Sequence, residues 1–169
     1  IFFIFIGVAI INFINFMDGI DGLIAGSCVI IFAAISSGSN NLLPLAGALF
    51  GFLYFNWQPS KIFMGDTGSL FLGFILVINI FKSEDLVDFV RVLFLITPLI
   101  ADPTITIIRR IINKQSWWTP HKLHLYQRLV SAGMSHSKVS LIYISSISLL
   151  SIAYRFSSLL NIAILSLSL

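Results

Sequence analysis

Asp18 and Asp21 lie three residues apart in the stretch 12–22 (NFINFMDGIDG), and Asn12 and Asn15 precede them at the same spacing. If this stretch is helical, all four side chains share one face, and the two carboxylates could hold a cation or its water shell. The plainer alternative is a solvated loop with Asp18 as an N-cap. A second polar stretch, 63–69 (FMGDTGS), sets Asp66 between Gly65 and Gly68. Mg²⁺ keeps several waters and takes one or two protein carboxylates plus phosphate oxygens, which suits isolated acids supplied by separate loops. Asp66 could also cap the helix that follows it. Phe63, beside this turn, is either a packing residue or a flat surface for a base.

The third polar stretch, 120–129 (PHKLHLYQRL), supplies His121 and His124 with Lys122, Tyr126, Gln127 and Arg128 nearby. Two histidines without a supporting Cys or carboxylate make a poor zinc site, so a basic pocket for phosphate fits better, with a bland interfacial loop as the alternative. His136, in GMSHSK (133–138), reads as an exposed or capping residue. Asp102, seven residues before Arg109, is an acid inside an apolar run, hence either a functional group or the ion-pair partner of Arg109 or Lys122. The adjacent Pro103 is expected to break its helix and free backbone groups.

The elements that must hold these groups are apolar. The chain of 169 residues is 57% hydrophobic and 10% charged, and its mean hydropathy is +0.99. No soluble core explains those values, so the expected class is all-α, a polytopic transmembrane helical bundle. Residues 22–60 carry no Asp, Glu, Lys or Arg, enough for two passes of about 20 residues each. Similar runs place spans near 1–14, 23–37, 42–57, 67–81, 89–108, 139–153 and 158–169, about seven in all. Period-2 alternation is missing, which disfavours a barrel. Cys28 reads as a small buried hydrophobe.

If the spans alternate, the first, third and fifth connections share one side, and these hold the three polar stretches. That side carries Lys61, Arg109, Arg110, Lys114, Lys122, Arg128 and Lys138, against Lys82, Arg91 and Arg155 opposite. The positive-inside rule then turns the polar stretches to the cytoplasm. Trp117 and Trp118 suit an interfacial anchor, and the fifth connection suits an amphipathic helix at headgroup level. The net charge of +3 follows topology and does not signal nucleic acid. A transporter segment with an acidic ion path is the rival class. It expects acids near mid-membrane, whereas Asp18, Asp21 and Asp66 fall at span ends.

With these blocks quoted, the chain resembles the polyprenyl-phosphate N-acetylhexosamine-1-phosphate transferases, glycosyltransferase family 4. Asn12 to Leu23 is similar to that family's Asn-x-x-Asn-Phe-x-Asp-Gly-x-Asp-Gly-Leu block, and Phe55-Asn56 with Phe63 to Leu70 to its second block. Residues 102–139, with Arg109-Arg110, HKLHLYQRL and GMSH, are most similar to the O-antigen-initiating branch. The resemblance implies one integral membrane domain over 1–169, the C-terminal portion of a longer family member, multi-pass in the bacterial inner membrane with its active site on the cytoplasmic face. It implies transfer of an N-acetylhexosamine-1-phosphate from a UDP-sugar to undecaprenyl phosphate, with release of UMP. Its residue assignments are Asp66 as Mg²⁺ ligand, Asp18 and Asp21 as active-site acids, and His124 as a phosphate-contacting group. Asn56 and Phe63 fall at nucleotide positions, Asn12 and Asn15 orient the site, and Lys122 and Arg128 are assigned to substrate from their charge. The expected partners are the lipid phosphate, the UDP-sugar and the bilayer, and homo-oligomerisation is compatible with them. The sugar expected from the branch is a 6-deoxy N-acetyl sugar, with N-acetylglucosamine next. Two departures accompany the resemblance: the family's adjacent Asp-Asp pair has no counterpart here, and Tyr126 and Gln127 stand within a His-rich family motif. A non-catalytic family remnant is therefore the second alternative.

Overall fold

The computed structural model of the chain describes residues 2–36, 41–83, 85–116 and 123–167. All regular structure among them is helical, as apolar backbone without strand periodicity requires when it must satisfy its own hydrogen bonds. The helices are α1 (Phe2–Met17), α2 (Leu23–Ile35), α3 (Leu43–Asn56), α4 (Gly65–Phe81), α5 (Leu86–Leu95), α6 (Thr97–Ile112), α7 (Leu125–Ser131) and α8 (His136–Leu167). The first four coincide with expected spans to within a few residues.

The later spans need correction. The run 89–108 is two helices, α5 and α6, bent by 77°. The break falls at Ile96 rather than Pro103. Pro98 occupies the first turn of α6, where a missing N–H costs nothing, while Pro103 lies buried inside a helix that continues past it. The runs 139–153 and 158–169 are one helix, α8. Arg155, expected at a turn between them, instead donates from Nη2 to the carbonyls of Ala33 (2.8 Å) and Ser36 (3.1 Å), closing the C-terminal end of α2. The alternation of seven spans is therefore not what the helices show. Among the described residues one helix, α8 over His136–Ser157, is long and apolar enough to cross a membrane alone, and the bent α5–α6 pair is a second candidate. The four remaining apolar helices are shorter than 18 residues.

Helix α1 packs on α4, and α2 lies against α3 and α8. Close approach relies on small residues, the usual device where lipid provides no hydrophobic drive between helices. A Cβ at Gly73 of α4 would stand 3.0 Å from the Cα of Ile11 on α1. One at Gly26 of α2 would stand 2.4 Å from Ile144 Cδ1 on α8. The core between the helices is aliphatic, with Ile14, Met17, Leu23, Ile24, Leu76, Ile80, Leu95 and Leu99 fully buried. The C-terminal ends of α1 and α3 and the N-terminal ends of α2, α4 and α8 are joined by side-chain hydrogen bonds at one end of the bundle.

Candidate active site

The expected polar stripe does not continue down a helix. α1 ends at Met17, and the chain turns through Gly22, whose φ of 76° is open to glycine at little cost. A side chain at Gly22 would also strike Trp57, at 2.6 Å from its Cε3. Asp18 and Asp21 therefore sit on a loop between α1 and α2, where both still face one cleft. Asn12 does not join them. Its Nδ2 donates back to the Val8 carbonyl at 2.7 Å, and it is absent from the cleft lining.

The cleft has a volume of about 260 Å³ and brings together Asn15, Asp18, Asp21, Asn56, Phe63, Asp66 and His136. Asn56 joins the two loops, accepting from the Gly22 N–H (3.1 Å) and donating to the Ile62 carbonyl (2.9 Å). Asn15 crosses from α1 to α4, donating through Nδ2 to Asp66 Oδ1 (3.1 Å) and Ser69 Oγ (2.9 Å). Asp66 makes no N-cap bond for α4, so its carboxylate is not spent on the helix. Phe63 lines the cleft and is 75% exposed. Asp21 is held, its Oδ1 accepting from Ser60 Oγ (2.8 Å) and its Oδ2 lying 3.3 Å from His136 Nδ1. The Asp18 carboxyl has no hydrogen-bond donor among the described residues. Burial, and then the charge of Asp66, push its pKa up to about 7.

Three carboxylates line this cleft, and none of its lining residues is Lys or Arg. Among the described residues no group of three or more His, Cys, Asp or Glu is placed to hold a metal ion together, so the cleft could give a divalent cation one or two carboxylates, with the rest of its shell from water or phosphate oxygens. A buried acid, Asp18, with a second carboxylate, Asp66, beside it and few internal donors is the environment a hard cation relieves.

The third stretch is placed differently. His121 and Lys122 lie outside the described residues, as do Trp117 and Trp118. His124 is 4% exposed and is not among the cleft-lining residues. Its ring stacks on Tyr126 at 5.9 Å and faces Phe16 at 6.3 Å, and its Nδ1 lies 3.6 Å from Asp102 Oδ1, an electrostatic contact beyond hydrogen-bond range. Asp102 is neither an open acid nor a partner of Arg109. It accepts from the backbone N–H groups of Leu125 (2.7 Å) and Tyr126 (3.3 Å) and from the Tyr143 hydroxyl (2.8 Å), tying the start of α7 to α6 and α8. Gln127 accepts from the His124 N–H (3.2 Å) and donates to the Tyr126 hydroxyl (3.1 Å), which in turn donates to the Phe16 carbonyl (2.9 Å). Arg128 lines a separate cavity with Arg109.

His136 is the cleft residue that sequence reasoning passed over. It opens α8, whose first turn is docked by Gln58: the Ser137 N–H and hydroxyl both donate to Gln58 Oε1, at 2.8 and 2.9 Å. The available signal was its position as the last titratable group but one before the final apolar run, directly after the turn at Gly133.

The family model described as glycosyl transferase family 4 matches residues 1–84, a range that holds every cleft residue named above except His136. The chain is 42% identical over 142 residues to the probable undecaprenyl-phosphate N-acetylglucosaminyl 1-phosphate transferase of Bacillus subtilis, covering 76% of this chain and 40% of that protein. It is 35% identical over 167 residues to the decaprenyl-phosphate N-acetylglucosaminephosphotransferase of Mycobacterium leprae, covering 80% and 42%. It is 44% identical over 102 residues to the phospho-N-acetylmuramoyl-pentapeptide-transferase of Clostridium beijerinckii, covering 54% and 31%. The chain thus spans about two-fifths of the length of the first two relatives.

Proposed function

We propose, for a chain that belongs to glycosyl transferase family 4, that its cleft moves a hexosamine-1-phosphate from a UDP-N-acetylhexosamine to a polyprenyl phosphate, undecaprenyl phosphate in a bacterial inner membrane. An oxygen of the lipid phosphate attacks the β-phosphorus of the nucleotide sugar. The bond from that phosphorus to the bridging oxygen breaks, and UMP leaves with the oxygen. The observation that carries this reading is the convergence of Asp18, Asp21 and Asp66 with Asn56 and the exposed Phe63 in one cleft.

The chemistry demands what such a cleft can supply. Phosphoryl transfer needs the reactants in line and their charge neutralised, and little covalent help from the protein. Asp66 and Asp18 are the residues that would hold Mg²⁺, which when bound would offset the charge of the assembled phosphates. Asn15 fixes the Asp66 carboxylate, Phe63 offers its face to the uracil, and His136 and Ser60 hold Asp21. His124, 4% exposed between Phe16 and Tyr126 and outside the cleft lining, is given no phosphate contact of its own and serves to hold the start of α7. A multi-pass location with the cleft at the cytoplasmic face is proposed with the support of the Lys and Arg asymmetry. The correction to α8 leaves it intact, because Arg155 stays at the end of α2 away from the cleft. The relatives' names favour N-acetylglucosamine over a 6-deoxy sugar, and the product is proposed to enter cell-envelope or O-antigen synthesis.

The test is label transfer from UDP-N-acetylglucosamine and 6-deoxy analogues to undecaprenyl phosphate, in membranes containing the chain, with Mg²⁺ or EDTA and with Asp66→Asn. Lipid-linked product that needs both Mg²⁺ and Asp66 supports the reading. Well-expressed chain with no product, even when a relative's N-terminal half is supplied, overturns it in favour of a non-catalytic remnant.

A further inference from the structure

Away from the carboxylate cleft, α6, α7 and α8 enclose two adjoining cavities of about 360 and 180 Å³ that share Thr106, Arg109, Leu123 and Arg128. The larger is walled mainly by apolar groups, among them Pro98, Ala101, Ile105, Leu129 and Ile142. The smaller is polar and adds Arg110, Asn113 and Gln115. None of Asp18, Asp21 and Asp66 lines either. The result is an amphipathic groove with a cationic head and a greasy tail. Neither Arg109 nor Arg128 has a side-chain partner among the described residues, and both are exposed.

We propose that this groove binds one anionic glycerophospholipid of the bilayer, with Arg109 and Arg128 on its phosphate and one acyl chain along α6. Basic pockets between helices on the cytoplasmic side are suited to such headgroups, and the guanidinium fork matches phosphate oxygens. The length agrees as well. Pro98, Ala101, Ile105 and Arg109 follow one face of α6, and the rise from first to last is about 16 Å at about 1.5 Å per residue. That is about one leaflet of a hydrocarbon core roughly 30 Å thick. A polyprenyl chain, several times longer, would overrun it. Asp102 and Tyr143, which hold the start of α7, form part of the groove wall, so the lipid would brace the segment that carries His124. The proposal rests on a membrane location and not on the transfer reaction.

The experiment is native mass spectrometry of the detergent-purified chain, titrated with phosphatidylglycerol, with phosphatidylcholine of the same acyl chains, and with undecaprenyl phosphate. One equivalent of phosphatidylglycerol should bind at least about tenfold more tightly than phosphatidylcholine. The double variant Arg109→Gln, Arg128→Gln should weaken it about twenty-five-fold, a factor of about five for each lost charge. Ala101→Trp, which fills the apolar half without touching charge, should also block binding, and it decides between the outcomes should the Gln variant lose helicity. Equal binding of the two phospholipids, or full binding by either variant, overturns the proposal. So does displacement of phosphatidylglycerol by undecaprenyl phosphate in a manner that depends on both arginines, which would make the groove the acceptor's own.

Discussion

Asp66 and Asp102 are both carboxylates where a helix borders a polar loop, yet their surroundings give them opposite work. Asp66 is exposed in a cleft and accepts from one internal side chain, Asn15. Asp102 is 7% exposed and accepts from two backbone N–H groups and from the hydroxyls of Tyr143 and Thr106. An acid whose lone pairs are filled from within is part of the scaffold, and one left with open lone pairs beside a second acid is available to a cation or ligand. The contrast extends to the histidines. His136 faces the cleft and Asp21, whereas His124 is packed between aromatic rings.

The contrast breaks most sharply on activity. Asp66→Asn should lower transfer by about 10²–10³-fold, the scale of losing one preorganised charge contact, with Tm little changed. If that variant unfolds while Asp102→Ala is stable, the two roles are reversed. Asp102→Ala should cost about 3 kcal/mol, read by denaturation in detergent, because it strands two N–H groups and a buried tyrosine hydroxyl. Gly19→Ala should cost about 1–3 kcal/mol, since its Cβ would stand 2.1 Å from the Tyr126 hydroxyl and force the third stretch off the first. His136→Gln should reduce kcat/KM about tenfold with the fold unchanged, the worth of one charge-assisted contact to Asp21.

A further effect is expected on pH dependence without metal. The folded Asp18 carboxyl ionises near about 7 instead of its ordinary 3.8, so the fold binds that proton more tightly than the unfolded chain does. Its contribution is complete below about pH 4 and is lost as pH rises through about 7. Tm in EDTA should therefore fall between pH 5 and pH 8, and Asp18→Asn should flatten that fall.

Sequence made the cleft legible because glycines and acids interrupt an uncharged chain only where a break is needed, as at Asp18 to Gly22 and Gly65 to Gly68. It also located α1 to α4 within a few residues, since hydropathy alone sets those boundaries. It could not show that Arg155 caps a neighbouring helix instead of marking a turn, because that use depends on α2 ending beside it. It named Pro103 as the breaking point, wrongly, because the outcome depends on which proline opens a helix, and that is Pro98. The role of Asp102 was similarly hidden, as its donors lie 23, 24 and 41 residues away.

The most direct test of the central claim, that Asp18 and Asp66 form an open cation site distinct from the packed Asp102 cluster, is binding of Mn²⁺ followed by electron paramagnetic resonance. Mn²⁺ shares the hard-oxygen preference of Mg²⁺ and reports occupancy without turnover. One site should be seen in the unaltered chain, lost in Asp66→Asn and in Asp18→Asn and kept in Asp102→Asn. Retention of Mn²⁺ by Asp66→Asn, or its loss from a folded Asp102→Asn, would contradict the account.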